Sequence, residues 1–259
     1  MYASNYFENL MLNLMRGQAI SAPANLYLGL FLSNPTDDGA SGTEISYSGY
    51  ARQPITFSAP AASGSGMMIQ NTAEITFPES QIAAGSVLYV GVFDSLSGGN
   101  MWLYGALDTP LVVNAGVSPK FRANSVKWTW TGNLTTFYKT AIMNTLRGTS
   151  LNGFTPYIGF GNGDPTDTGN EFSGNNYARV QASMSAPVQQ STGAAMSQNS
   201  ADLETNIASG NWGTFDTVTI FDASSSGNAY AVLTLASSYN ILSNFNISID
   251  AGTLQVSIN

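Results

Sequence analysis

The residues best suited to chemistry in this chain are carboxylates, because the usual reagents are missing. The 259 residues include no histidine and no cysteine. That removes the commonest general base and transition-metal ligand, thiolate metal sites, and every Ser-His-Asp arrangement. Acids recur in pairs along the sequence: Asp37 with Asp167, Glu44 with Glu171, Glu74 with Asp202 and Asp94 with Asp222. Hydrolysis by two carboxylates needs no imidazole, so a glycosidase passes this filter. The loop NPTDDG at 34–39, matched by DPTDTG at 164–169, is the best candidate for Ca²⁺. Asp37, Asp38 and Glu44, or Asp164, Asp167 and Glu171, could supply its oxygen ligands. The spacing departs from the EF-hand loop, however. A turn explains it more simply, with Pro fixing φ and Gly accepting a positive one. No metal or other cofactor is therefore expected.

Repetition argues against catalysis as well, since a duplicated active site ordinarily survives in one copy alone. Asp94 and Asp222 each follow an apolar run, VGVFD and VTIFD, and precede a Gly/Ser turn, which is where a turn-capping aspartate belongs. Arg52 and Arg179 are two of only eight basic residues. They are candidates for a ligand or interface contact; the simpler reading ties each guanidinium flat against Glu44 or Glu171. Among the four tryptophans, Trp128 and Trp130 fall on the apolar face of a strand. Trp102 and Trp212 remain as exposed candidates for stacking on a sugar.

Composition sets the wider limits. Charged residues make up 9% of the chain, against roughly 25% in average globular proteins, while 43% are hydrophobic. Such a chain fills a core but must clothe its surface in Ser, Thr, Asn, Gln and Gly. A net charge of −8 excludes a phosphate-tracking nucleic-acid binder. No segment approaches the ~20 apolar residues of a membrane span. The opening MYASNYFENLMLNLMRG lacks a basic start and a continuous apolar run, so it is expected to be a helix of the mature protein, not a signal peptide.

The elements that position these residues come in two tandem copies. LMRG at 14–17 recurs as TLRG at 145–148, Tyr50-Ala51-Arg52 as Tyr177-Ala178-Arg179, and Phe93-Asp94 as Phe221-Asp222. Order is kept and the offset drifts only between 127 and 131, which places the domains at 1–131 and 132–259. Each copy opens with an amphipathic helix. In the first, Tyr6, Phe7, Leu10, Met11, Leu14 and Met15 form the stripe, Asn5 and Glu8 resemble a capping box, and Gly17 stops it. Phe137, Tyr138, Ala141, Ile142 and Leu146 repeat the pattern before Gly148. Strand-like runs follow at 25–33, 50–58, 67–77, 87–94, 101–107 and 124–131, with counterparts in the second copy. Val126, Trp128 and Trp130 alternate with polar residues, as do Leu254, Val256 and Ile258, which marks strands with one buried face. The soft stretch at 58–67 is expected to be a mobile loop or a subunit contact. The fold class is mainly β: two tandem antiparallel β-sandwich, jelly-roll-like domains, each preceded by its helix.

The motifs in sequence, NLYLGLFLSNPTDDG, SGYARQPITF, NTAEITFPES, VGVFDSLSGGN and NAGVSPKFRANSVKW, resemble those of short tailed-phage and prophage proteins called tail fibre or virion structural proteins. The second copy carries the weaker set PYIGFGNGDPTDTG, NYARV, NSADLETN, VTIFDASSSGN and IDAGTLQV. The resemblance implies a non-enzymatic component of a virion, assembled in the host cytoplasm, on the tail or decorating the capsid. Its partners would be other virion proteins and further copies of itself. Three chains would present six similar units, matching a hexagonal lattice or a sixfold tail. The alternative is a carbohydrate-binding module for host surface glycans using Trp102 and Trp212. A two-carboxylate depolymerase ranks last, since no short solenoid period is present.

Overall fold

A polar cap, an apolar helix and a stopping glycine open both halves of the chain. The computed structural model describes residues 1–132, 134–162 and 170–258. Helix α1 spans Asn5–Met15, and the Ser4 hydroxyl caps it by accepting from the Phe7 amide at 3.3 Å. The cap therefore lies one residue ahead of the expected Asn5, which leaves Glu8 a place too far along to close a capping box. Gly17, at φ +91°, ends the helix while the Gln18 amide returns to Asn13 O at 2.9 Å. Helix α2, Thr136–Thr145, is capped in the same way by Thr135, which accepts from the Tyr138 amide at 3.1 Å.

In the first copy a five-stranded antiparallel sheet has the order Tyr2–Ala3, Met101–Val113, Gly85–Phe93, Tyr27–Phe31, Gln53–Pro54. A second sheet orders Lys127–Trp130, Gly66–Gln70 and Ala61–Ser63, and Ile75–Thr76 pairs with Lys120–Phe121. The second copy repeats the plan. Tyr157–Asn162, Gly213–Phe221 and Ala229–Ile241 form its main sheet, Ala195–Gln198 and Gln255–Ile258 its smaller one, and Leu203–Glu204 pairs with Ser248–Ile249. Even the irregularities coincide, for the long hairpin bulges between Val87 and Tyr89 in one copy and between Phe215 and Thr217 in the other. The chain is thus mainly β, built from antiparallel sheets in two tandem units.

Two expectations change. The run 67–77 is two strands, because Asn71 leaves the ladder and folds its buried amide onto Ala73 O and Arg122 O. The soft stretch at 58–67 is largely a hairpin, in which Ala61–Ser63 pairs with Gly66–Met68 around Gly64.

The helices tie the copies together. Helix α1 packs on Met101–Val113 of its own copy and on Ala195–Gln198 and Gln255–Ile258 of the other. Helix α2 packs on Ala229–Ile241 of its own copy and on Gly66–Gln70 of the first. Tyr138 Oη donates to Met11 O at 2.8 Å between the two buried helices, and Ile20 and Leu151 exchange backbone bonds of 2.8 and 2.9 Å just beyond them. The repeated arginine of LMRG and TLRG acts reciprocally: Arg16 reaches Met184 O and Arg147 reaches Phe57 O, each at 3.4 Å. Contacts of i on j repeated as j on i define a twofold relation. The main cluster of buried apolar side chains runs continuously through both copies.

One shared core implies one melting event. Differential scanning calorimetry of the whole chain should give a single transition whose calorimetric and van't Hoff enthalpies agree; two separable transitions would contradict the interlocked arrangement.

Candidate functional site

The repeated charged residues converge on one node in each copy. Arg52 donates through Nε to Glu44 Oε1 at 2.9 Å and through Nη2 to Oε2 at 2.8 Å, a bidentate pair. Its remaining terminal nitrogen donates to Ser95 O and Gly98 O in the turn after Asp94, at 3.1 and 2.8 Å. The guanidinium lies 3.5 Å from the centroid of the Phe93 ring. Tyr50 Oη donates to Glu44 Oε1 and accepts the Leu30 amide. Gly29 leaves the room, since a Cβ there would stand 2.9 Å from Glu44 Oε1.

The second copy reproduces the node. Arg179 makes both bonds to Glu171 at 2.8 Å, donates to Ala223 O and Ser226 O, and stacks 3.3 Å over Phe221. Tyr177 and Gly159 take the places of Tyr50 and Gly29. Burial pushes both tyrosine hydroxyls far above their ordinary range, so they remain neutral donors. The arginines are therefore held within their own copy.

The aspartates serve turns. Asp94 accepts from the Asn100 amide at 2.7 Å and the Asn100 side chain at 2.9 Å, and Asp222 holds Asn228 likewise. Asp37 accepts from Tyr104 Oη and its carbonyl receives the Asn5 amide, so it anchors the start of α1. Asp38 accepts from Thr36 Oγ1 and the Ala40 amide at 2.6 and 2.8 Å, and these bonds hold its carboxyl below the usual range. Asp164 and Asp167 lie outside the described residues. Among the described residues no group of three or more carboxylates is placed to hold a metal ion.

Both candidate stacking tryptophans are buried, which corrects the expectation that they are exposed. Trp102 is 1% exposed, packs at 4.9 Å on Phe7 and donates to Asp94 Oδ2. Trp212 is 9% exposed, donates to Asn175 O and meets Tyr177 edge-on at 5.3 Å. Neither offers a free ring face to a sugar.

One chemically unusual residue escaped the sequence reading of function. Glu8 is wholly buried, and among the described residues neither of its carboxylate oxygens has a hydrogen-bond partner. Desolvation, followed by the nearby charge of Asp37, pushes its carboxyl up to about 8; the Ala195 amide and Gln189 side chain offset part of that without closing a hydrogen bond. Lys139 stands at the matching place on α2, buried as well, with its ammonium on Gly132 O at 2.6 Å.

Glu8 makes stability pH-dependent. The folded chain keeps the Glu8 proton between about 4.5 and 8, where the unfolded chain has lost it. Stability therefore falls as pH rises through that window, by at most about 1.4 kcal/mol per pH unit. In urea titrations at several pH values, Glu8→Gln should show a smaller loss from pH 5 to 8 than the natural chain; parallel profiles would contradict this. At the nodes, Glu44→Gln strands a buried guanidinium and should cost about 3 kcal/mol. Glu44→Leu with Arg52→Leu should cost less than Glu44→Gln alone, measured by the same titration.

The model of a family described as podophage GP4 fiber I protein gp80 matches the chain twice, over residues 2–129 and 133–257. No curated protein matches it. Two consecutive matches cover nearly the whole sequence, so this chain belongs to that podophage fibre family and carries its unit in tandem.

Proposed function

We propose that the chain is a non-enzymatic structural subunit of the podophage tail, acting as a fibre or adaptor component in a homo-oligomer. One observation carries the reading. The charged pairs described in both copies, Arg52 with Glu44 and Arg179 with Glu171, are occupied with their own turns and strands. Asp94 and Asp222 are likewise bound to Asn100 and Asn228. Repetition here preserves a frame that positions hairpins, and the family membership supports a place in the virion. Its partners are further copies of itself and neighbouring virion proteins.

Capsid decoration is the rival placement. The glycan-binding reading loses its tryptophans to the core, and host-surface recognition by this chain would need other rings. Immunogold electron microscopy of podophage particles, with antibody raised against the chain, should place label at the tail. Label spread over the capsid shell would overturn the tail assignment; particles without label would overturn the virion role.

A further inference from the structure

Unpaired polar atoms gather at one place in this chain. Among the described residues four buried side-chain oxygens have no hydrogen-bond partner. Three of them, both carboxyl oxygens of Glu8 and Oδ1 of Asn5, lie on the first turn of α1. A carboxyl in such a setting is tolerated only while it keeps its proton, because a dry charge without a partner is costly.

Both copies surround it. From its own copy, Asp37 in the loop 34–39 and Tyr104 on the strand Met101–Val113 face Glu8, bonded to each other. Tyr2 stacks on Tyr104 at 5.8 Å but is itself exposed. From the second copy, the hairpin 188–196 brings the Gln189 side chain and the Ala195 amide against the carboxyl. Neither this hairpin nor the strand Gln255–Ile258 beside it carries a charged or titratable group. The turn of the hairpin rests on Asp37 as well, since a Cβ built on Gly193 would stand 3.1 Å from Asp37 Oδ2. One hairpin of the second copy thus covers two acids of the first, and no ion pair among the described residues involves either acid.

That cover is lightly held. Its strands pair over two residues, Val188 with Met196 and Gln189 with Ala195, and the first of them is the outer edge of its sheet. Val188 and Gln189 are exposed, and among the described residues one long side-chain bond, from Gln189 Nε2 to Asn9 Oδ1 at 3.4 Å, fastens that edge to α1. Short, solvated edge pairings open before the core does. We propose that residues 188–194 are a proton-controlled latch between the copies, seated on α1 while Glu8 is neutral and lifting to admit water when Glu8 ionises.

The direction follows from linkage. The seated form keeps the Glu8 proton up to about pH 8, whereas a hydrated Glu8 loses it near 4.5. Opening therefore releases a proton. Within that window it becomes easier by at most about tenfold for each unit of rising pH, and then levels off. The first copy supplies the contrast. Its hairpin 61–70 packs on α2, where Lys139 stands in place of Glu8 with its ammonium bonded to Gly132 O. Burial lowers the proton affinity of Lys139, so rising pH does not favour opening there.

Hydrogen–deuterium exchange of the whole chain, followed by mass spectrometry and corrected for the intrinsic effect of pH on exchange, tests the latch. Between about pH 5.5 and 7.5 the protection of amides in 188–194 should fall at least about tenfold, while that of 61–70 should not fall. Glu8→Gln should hold the second-copy hairpin at constant protection. Asp37→Asn, which removes the neighbouring charge, should shrink the fall, with circular dichroism checking that both variants fold. Constant protection in the natural chain, a fall that persists undiminished in the variants, or one that both hairpins share would overturn the latch. The pH dependence of global stability would stand without it.

Discussion

Helix α1 buries Phe7, Met11, Leu12, Leu14 and Met15, a spread of positions that reaches beyond one stripe. A helix apolar on one side needs one sheet; a helix apolar on two sides needs two. Its own copy supplies the strand Met101–Val113, with Trp128 against Phe7, and the other face is closed by strands from residues 195–198 and 255–258. Helix α2 repeats the arrangement in reverse. The copies cannot be drawn apart without exposing both helices to water, at a cost of roughly 25 cal/mol for every Å² of apolar surface uncovered. The tandem link therefore makes an intramolecular pair, so formation of the core carries no dependence on protein concentration.

Given that central pair, the arginine nodes have a clear mechanical part. They sit where the Tyr27–Phe31 strand, the segment carrying Glu44 and the turn after Asp94 meet. A bidentate arginine with its remaining nitrogen on two turn carbonyls and its face on an aromatic ring has almost no freedom left. Each node locks a long hairpin to the sheet beside it. The helices join the copies and the nodes stiffen each one.

Much of this was legible in the residues. Period-two alternation at Val126, Trp128 and Trp130 placed a one-faced strand correctly, because burial alone dictates that pattern. Duplication of Arg52 and Glu44 pointed to their pairing, since a bidentate partner is what an isolated arginine in a nearly uncharged chain requires. The helix exchange was hidden, because periodicity reports that a face is buried and not by which strand. The same limit misled the tryptophans: Trp102 follows a Gly/Asn turn and Trp212 sits among polar neighbours in sequence, but Phe7 covers the one and Tyr177 the other. Asn71 and Asn199 were equally silent. Each is wholly buried and spans three backbone groups, and only its recurrence within NTA and NSA signalled a constraint.

Covalent linkage also frees the two copies to differ. In a pair of identical chains, any substitution appears on both sides of the twofold axis; in a tandem chain it appears once. Glu8 and Lys139 show the consequence in the core, where matching positions on the two helices carry a carboxyl group and an amine. Phe77 and Phe121 show it too, for the second copy carries Thr205 and Ile249 at those positions. A symmetric body presents the same face in two directions and so invites growth from both. Breaking that equivalence, while the reciprocal helices keep the halves together, lets the two halves of one chain make different contacts.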